Sequence, residues 1–175
     1  HRPTSKTKTN REMMHVIKRD GRHERVMFDK VTDRITCLCE GLNETHVDPV
    51  LVAQKVVNGV FNGVTTKQLD ELAAETAAYM TSTHPDYGIL AARIAVSNLH
   101  KCTSSKFSDV VEMMHKYVQP KTGLRSPLVS EELYQIVQMR KEDIDNAMEY
   151  KYDYQYSYFG FKTLARTYLL RINGE

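Results

Sequence analysis

The stretch Val16-Ile17-Lys18-Arg19-Asp20-Gly21-Arg22-His23-Glu24-Arg25-Val26-Met27-Phe28-Asp29-Lys30 constrains the fold more than any other part of the chain. Two short extended runs, 16–19 and 22–26, flank Asp20-Gly21, a pair suited to a two-residue hairpin turn because Asp and Gly tolerate positive φ. Asp29 follows at once and is placed to cap a helix starting at Lys30, its carboxylate accepting unpaired backbone N–H groups. Lys18, Arg19, Arg22, Arg25 and Lys30 stand against Asp20, Glu24 and Asp29 in this stretch. Two readings fit a basic hairpin that runs into a helix N-terminus. It is a solvated charged surface, or it is a cradle for phosphates, to which Lys and Arg bring charge and donors and the helix end brings its dipole.

Downstream the apolar spacing is helical. Val31, Ile35, Leu38 and Leu42 recur at that period, with Gly41 and Asn43 ending the run. A second helix is expected from about Asp48 to Phe61, with Val52, Val56, Val57 and Val60 inward and Asn62-Gly63 as a left-handed cap. Thr65-Thr66-Lys67-Gln68 forms a Thr-x-x-Gln capping box, opening a helix that buries Leu69, Leu72, Ala73, Thr76 and Met80. Pro85 separates it from a helix over Asp86 to about Lys101, small or apolar on most sides and therefore expected to be central. Residues 14–103 thus call for a two- or three-stranded sheet on four helices, in a mainly α (α+β) fold.

Beyond Thr103, Phe107, Val110, Val111 and Met114 form one stripe, and a helix at Ser130–Arg140 is expected to bury Leu133, Ile136 and Val137. A short helix follows from about Lys141 to Glu149. The tyrosine-dense segment Tyr150–Phe161 then leads into Lys162–Leu170. Basic residues are sparse there, so packing is its expected use, rather than nucleic-acid stacking.

The 175 residues suffice for one domain, or a small one with part of a second. The net charge of +2 is uneven: Arg2, Lys6, Lys8 and Arg11 against Glu12 give residues 1–12 a charge of +3, leaving −1 for the rest. Nucleic-acid binding by the whole chain therefore lacks an electrostatic basis. Residues 1–13 are expected to be a disordered extension. Cys37, Cys39 and Cys102 are too few and wrongly spaced for a disulfide scaffold or a zinc site, and read as thiols of a reducing compartment. No apolar run reaches the ~20 residues of a membrane span, so the cytoplasm is the expected location. Gly59 to Lys67 lacks the Gly-x4-Gly-Lys-Ser/Thr order of a P-loop.

Val16, Lys18–Gly21, Glu24–Val26 and Asp29-Lys30, in that order, resemble the start of the ATP-cone, the regulatory nucleotide-binding module of many ribonucleotide reductases. His84-Pro85-Asp86-Tyr87 and Leu90-Ala91-Ala92-Arg93-Ile94-Ala95 continue the likeness. Tyr158-Phe159-Gly160-Phe161-Lys162-Thr163-Leu164 with Tyr168-Leu169 is similar to the approach to the catalytic barrel of class I large subunits, eukaryotic type. The resemblance implies an ATP-cone over 14–103. Residues 104–175 would then be the helical beginning of a truncated catalytic region.

The same resemblance implies a site for ATP (activating) or dATP (inhibiting), with Mg²⁺, made of Lys18, Arg19, Glu24, Arg25, Val26, Met27, Phe28, Asp29, Lys30, Thr66, Asp70 and Lys101. Lys18, Arg19, Lys30 and Lys101 would neutralise the triphosphate, and Glu24 would accept from the adenine amino group. Thr66 and Asp70, one helical turn apart, would act together on ribose or phosphate. No catalytic residue and no protein metal site is expected in the chain. The implied partners are a small radical-generating subunit and further large subunits, with neither nucleic acid nor membrane. Two other functions remain open at this point. A nucleotide-sensing transcription repressor also carries an ATP-cone, but behind a four-cysteine zinc ribbon, and residues 1–15 hold no cysteine. The other is a helical oligomerisation module without nucleotide binding.

Overall fold

A computed structural model describes residues 14–170; the expected disorder of 1–13 lies outside the described residues. The chain begins with β1 (His15–Ile17) and β2 (His23–Arg25), antiparallel with Val16 opposite Glu24. Lys18 N–H donates to the Arg22 carbonyl at 2.8 Å, and Gly21 N–H to the Lys18 carbonyl at 2.9 Å. The loop is therefore the three residues Arg19–Gly21, not the two-residue turn expected at Asp20-Gly21. Gly21 takes φ +81°, the left-handed position that ends such a three-residue loop. The extra residue matters because it sets Arg19 at the hairpin tip.

Helix α1 spans Phe28–Leu38, two residues earlier than expected, so Asp29 lies inside its first turn rather than capping it. Extended Met27 is the N-cap and contributes no side-chain hydrogen bond. At the other end Arg93 donates to the carbonyls of Leu38 and Glu40, at 2.9 and 2.6 Å. Helix α2 (Pro49–Asn58) is capped by the Asp48 carboxylate, which accepts from Val50 and Leu51 N–H. Its C-cap is Gly59; the left-handed glycine, Gly63, comes four residues later, in the turn before β3 (Val64–Thr65). This two-residue strand runs parallel to β1, giving the sheet order β2-β1-β3.

The capping box forms as the sequence requires. Thr65 caps α3 (Thr66–Tyr79), its hydroxyl accepting from Gln68 N–H while the Gln68 amide oxygen accepts from Thr65 N–H. Helix α4 (Asp86–His100) is the centre: Tyr87, Leu90, Ala91, Ala92, Ile94, Ala95 and Val96 are all buried. Its alanines and Ala73, Ala74 and Ala77 of α3 permit the close approach of the two helices. The buried Tyr87 hydroxyl accepts from Asp48 N–H at 3.0 Å, tying α4 to the start of α2.

The remaining helices are α5 (Phe107–His115), α6 (Glu131–Met139), α7 (Lys141–Ala147) and α8 (Tyr158–Thr167). Asp145 of α7 accepts from both the N–H and the hydroxyl of buried Ser108, at 2.9 and 2.7 Å, and so joins α7 to the first turn of α5. In α6 only Val137 is buried, whereas Leu133 and Ile136, expected inside, are exposed. No described element covers the face they share. Helix α8 returns to α4 and inserts Phe161 into the central core. Of the aromatic segment, Tyr154 and Tyr158 pack on that core, while Tyr152, Tyr156 and Phe159 are exposed. Packing thus accounts for part of it. No helix among the described residues is long and apolar enough to cross a membrane.

Candidate functional site

A cavity of about 390 Å³ opens between the hairpin, the first two turns of α1, the start of α3 and the end of α4. Such a volume falls in the range of small-ligand sites. Its floor is apolar, from Val16, Ile35, Leu69, Ala73 and Ile94. Its rim carries Lys18, Arg19, Arg25, Lys30, Arg34 and Lys101 against Asp20, Glu24 and Asp70, a net charge of +3. A more open depression beside Tyr79, Ile89, Tyr156 and Phe159 has Glu75 as its single charged lining residue. Only the first suits a polyanion.

Ten of the twelve residues named from the sequence line this cavity: Lys18, Arg19, Glu24, Arg25, Val26, Met27, Lys30, Thr66, Asp70 and Lys101. Phe28 and Asp29 sit beside it in the first turn of α1 but do not line it. There the carboxylate of Asp29 complements the helix dipole. Because no side chain caps α1, its leading N–H groups are left to solvent or to a ligand.

Two carboxylates organise the cations. Glu24 pairs with Lys18 at 3.1 Å and also with Lys30. The Lys30 ammonium first, then that of Lys18, holds the Glu24 carboxyl below its ordinary range. Asp70, 7% exposed, accepts from Arg34 Nε at 2.6 Å and Nη2 at 3.0 Å, and from Arg19 Nη2 at 3.3 Å. Arg19 also donates to buried Asn98 of α4 at 2.6 Å. Burial opposes the charge of Arg19, but the neighbouring Cys102 and Asp70 outweigh it, and its pKa is raised. Lys101, the C-cap of α4, has no ion-pair partner among the described residues, nor has Arg25.

Sequence reasoning missed Arg34 and Asn98. Arg34 follows Lys30 by four residues, so both occupy one face of α1, and that spacing was the available signal. Asn98 gave none, as a lone polar residue near the end of an apolar helix. Asp70 is not the solvated helix residue that its type suggests; it is buried and joins three elements.

The carboxylates of this cavity are already engaged by ammonium or guanidinium groups, and no cluster of three metal-ligating side chains exists among the described residues. The site does not fit a protein-held Mg²⁺. It fits an ion that arrives on a ligand's phosphates.

A three-stranded sheet on helices, with a basic-rimmed cavity between them, is the architecture of a cone-type module. Residues 14–102 match the family described as ATP cone domain, and the chain belongs to that family. It is also similar to the ribonucleoside-diphosphate reductase large chains of Neurospora crassa and Schizosaccharomyces pombe, with 58% and 59% identity, each over 93% of this chain. The large subunit of Dictyostelium discoideum is 56% identical over 97% of the chain. The chain spans only 17% to 20% of the length of these relatives.

Proposed function

We propose that the chain is the allosteric activity-site module of a ribonucleoside-diphosphate reductase large chain. In this reading ATP in the cavity sustains reduction of ribonucleoside diphosphates by the whole enzyme, and dATP suppresses it. The observation that carries the reading is the convergence of six basic side chains against three acidic ones, a net charge of +3, on a cavity of about 390 Å³ within an ATP-cone.

The charge pattern supports the phosphate roles in this reading, and the base and sugar roles are those the family resemblance implies. Lys101 and Arg25 have no ion-pair partner among the described residues, and meet phosphate without giving one up. Lys18 and Lys30 share Glu24, and phosphate competes with that carboxylate for both. Glu24 accepts from the adenine amino group, where the carbonyl of guanine would repel it. Thr66 and Asp70 face the ribose. Mg²⁺ enters on the triphosphate. Residues 104–175 form the beginning of the catalytic region; the small radical-generating subunit and further large subunits are the partners, in the cytoplasm. The reductive chemistry belongs to the rest of the large chain.

Isothermal titration of ATP, dATP and GTP at two salt concentrations tests this reading. ATP and dATP bind, GTP binds more weakly, and added salt weakens all three because phosphate charge dominates. Binding indifferent to base and to salt contradicts it. Supplied with the small subunit, the chain alone reduces no nucleotide; turnover above background would place chemistry here after all.

A further inference from the structure

The carboxylate that faces the proposed sugar position is not a free acceptor. A carboxylate has about four lone-pair sites, and three on Asp70 are filled, two by Arg34 and one by Arg19. The contacts are unequal. Arg34 grips both oxygens with a two-pronged fork at 2.6 and 3.0 Å, whereas Arg19 touches one oxygen at 3.3 Å and makes its shorter bond, 2.6 Å, to Asn98. Arg19 lies at the tip of a hairpin and Arg34 within the second turn of α1, between Val31 and buried Ile35. Of the two guanidiniums, Arg19 is the one a phosphate can recruit, and Arg34 is the one that stays.

We propose that Arg34 is a positioning residue for sugar recognition. Its fork fixes the plane of the Asp70 carboxylate so that the one remaining acceptor site meets the ribose, and thereby sets the preference between ATP and dATP. This inference rests on the nucleotide reading of the cavity. A lysine at this position would keep the charge but not the coplanar pair of donors, so the carboxylate would turn. Asn98 holds the other end of the network by accepting from Arg19 and donating to the Lys67 carbonyl at 3.4 Å, so Asp70 is not the sole anchor of the hairpin.

The test is titration of ATP and dATP, each with Mg²⁺, into the 175-residue chain and its Arg34→Lys and Arg34→Gln variants. Thermal unfolding serves as the folding control. Arg34→Lys, folded, changes the ATP-to-dATP affinity ratio by about threefold or more, as for other residues coupled by direct contact. Arg34→Gln changes it further, and neither adds to the effect of Asp70→Asn when combined with it. If both folded variants weaken ATP and dATP by the same factor, Arg34 only packs, and the proposal falls while the site stands. If the wild-type chain binds neither nucleotide, the site reading falls and takes this proposal with it. Should Arg34→Gln fail to fold, Arg34→Lys alone decides, since it retains the charge.

Discussion

Arg19 at the hairpin tip and Asp70 in the second turn of α3, 51 residues apart in sequence, meet at 3.3 Å. This contact closes one side of the cavity and joins the sheet layer to the helical layer. With Arg34 and Asn98 it makes a polar network that spans the hairpin, α1, α3 and α4. The residues that would meet a nucleotide therefore also hold the module together, and substitutions there separate into two kinds.

Lys101→Ala belongs to the first kind. The side chain is exposed and has no ion-pair partner among the described residues, so its removal leaves the unfolding midpoint unchanged. Loss of a charge-assisted phosphate contact weakens ATP about ten- to hundredfold. Lys18→Ala weakens ATP by a similar factor, and Lys6→Ala has no effect. Titration with melting curves on the three variants decides; equal affinities for Lys18→Ala and Lys6→Ala would remove the hairpin from the phosphate site.

Asp70→Asn is of the second kind. Asp70 is buried and shared by two guanidiniums, so the change affects folding as well as nucleotide preference. Weakening those bonds costs about 1–3 kcal/mol of stability. Urea unfolding should show that loss, and titration should show a shifted ATP/dATP ratio. An unchanged ratio in the folded variant would exclude Asp70 from sugar recognition.

Glu24→Gln separates base recognition from phosphate binding. Both partners of Glu24 are cations, so neutralising it raises the positive charge of the rim and leaves ATP affinity equal or higher. The preference for ATP over GTP should fall, because the amide presents a donor as well as an acceptor to the base edge. A preserved preference would assign base selection elsewhere.

Acid should loosen the contact between α5 and α7 in a defined window. Backbone and hydroxyl hydrogen bonds from Ser108 lower the pKa of Asp145 from its ordinary 3.8. A carboxyl with a depressed folded-state pKa contributes its stabilisation fully above the unfolded value and loses it as pH falls through the folded one. The stability gap between wild type and Asp145→Asn should therefore be constant near neutrality and close below about pH 4. Melting curves across that range check this; a gap that widens in acid would reverse the sign.

Some local signals are legible in the sequence, whereas the Asp29 cap, the Gly63 cap and features made by distant partners are not. The Thr65–Gln68 capping box, the Asp48 start of α2 and the apolar character of α4 are written within a few residues each, and all appear in the fold. The hairpin was legible, but its loop length was not, since Asp20-Gly21 suits both a two-residue turn and the end of a three-residue loop. Strand β3 is two residues long and exists only through its pairing with β1, too short for any periodicity to show. Leu133 and Ile136 have helical spacing without a described element to bury them. Arg34 and Asn98 gain their meaning only when α1 and α4 converge on Asp70 and Arg19.

The central claim is that a nucleotide occupies the cavity beneath the hairpin, and amide chemical-shift mapping tests it most directly. Titrating ATP with Mg²⁺ into the isotope-labelled chain should shift the amides of 18–30, Thr66, Asp70 and Lys101 together, saturating along one curve, with those around Tyr79 and Phe159 unmoved. Shifts centred on Tyr79 and Phe159, or none at saturating ATP, would contradict the account.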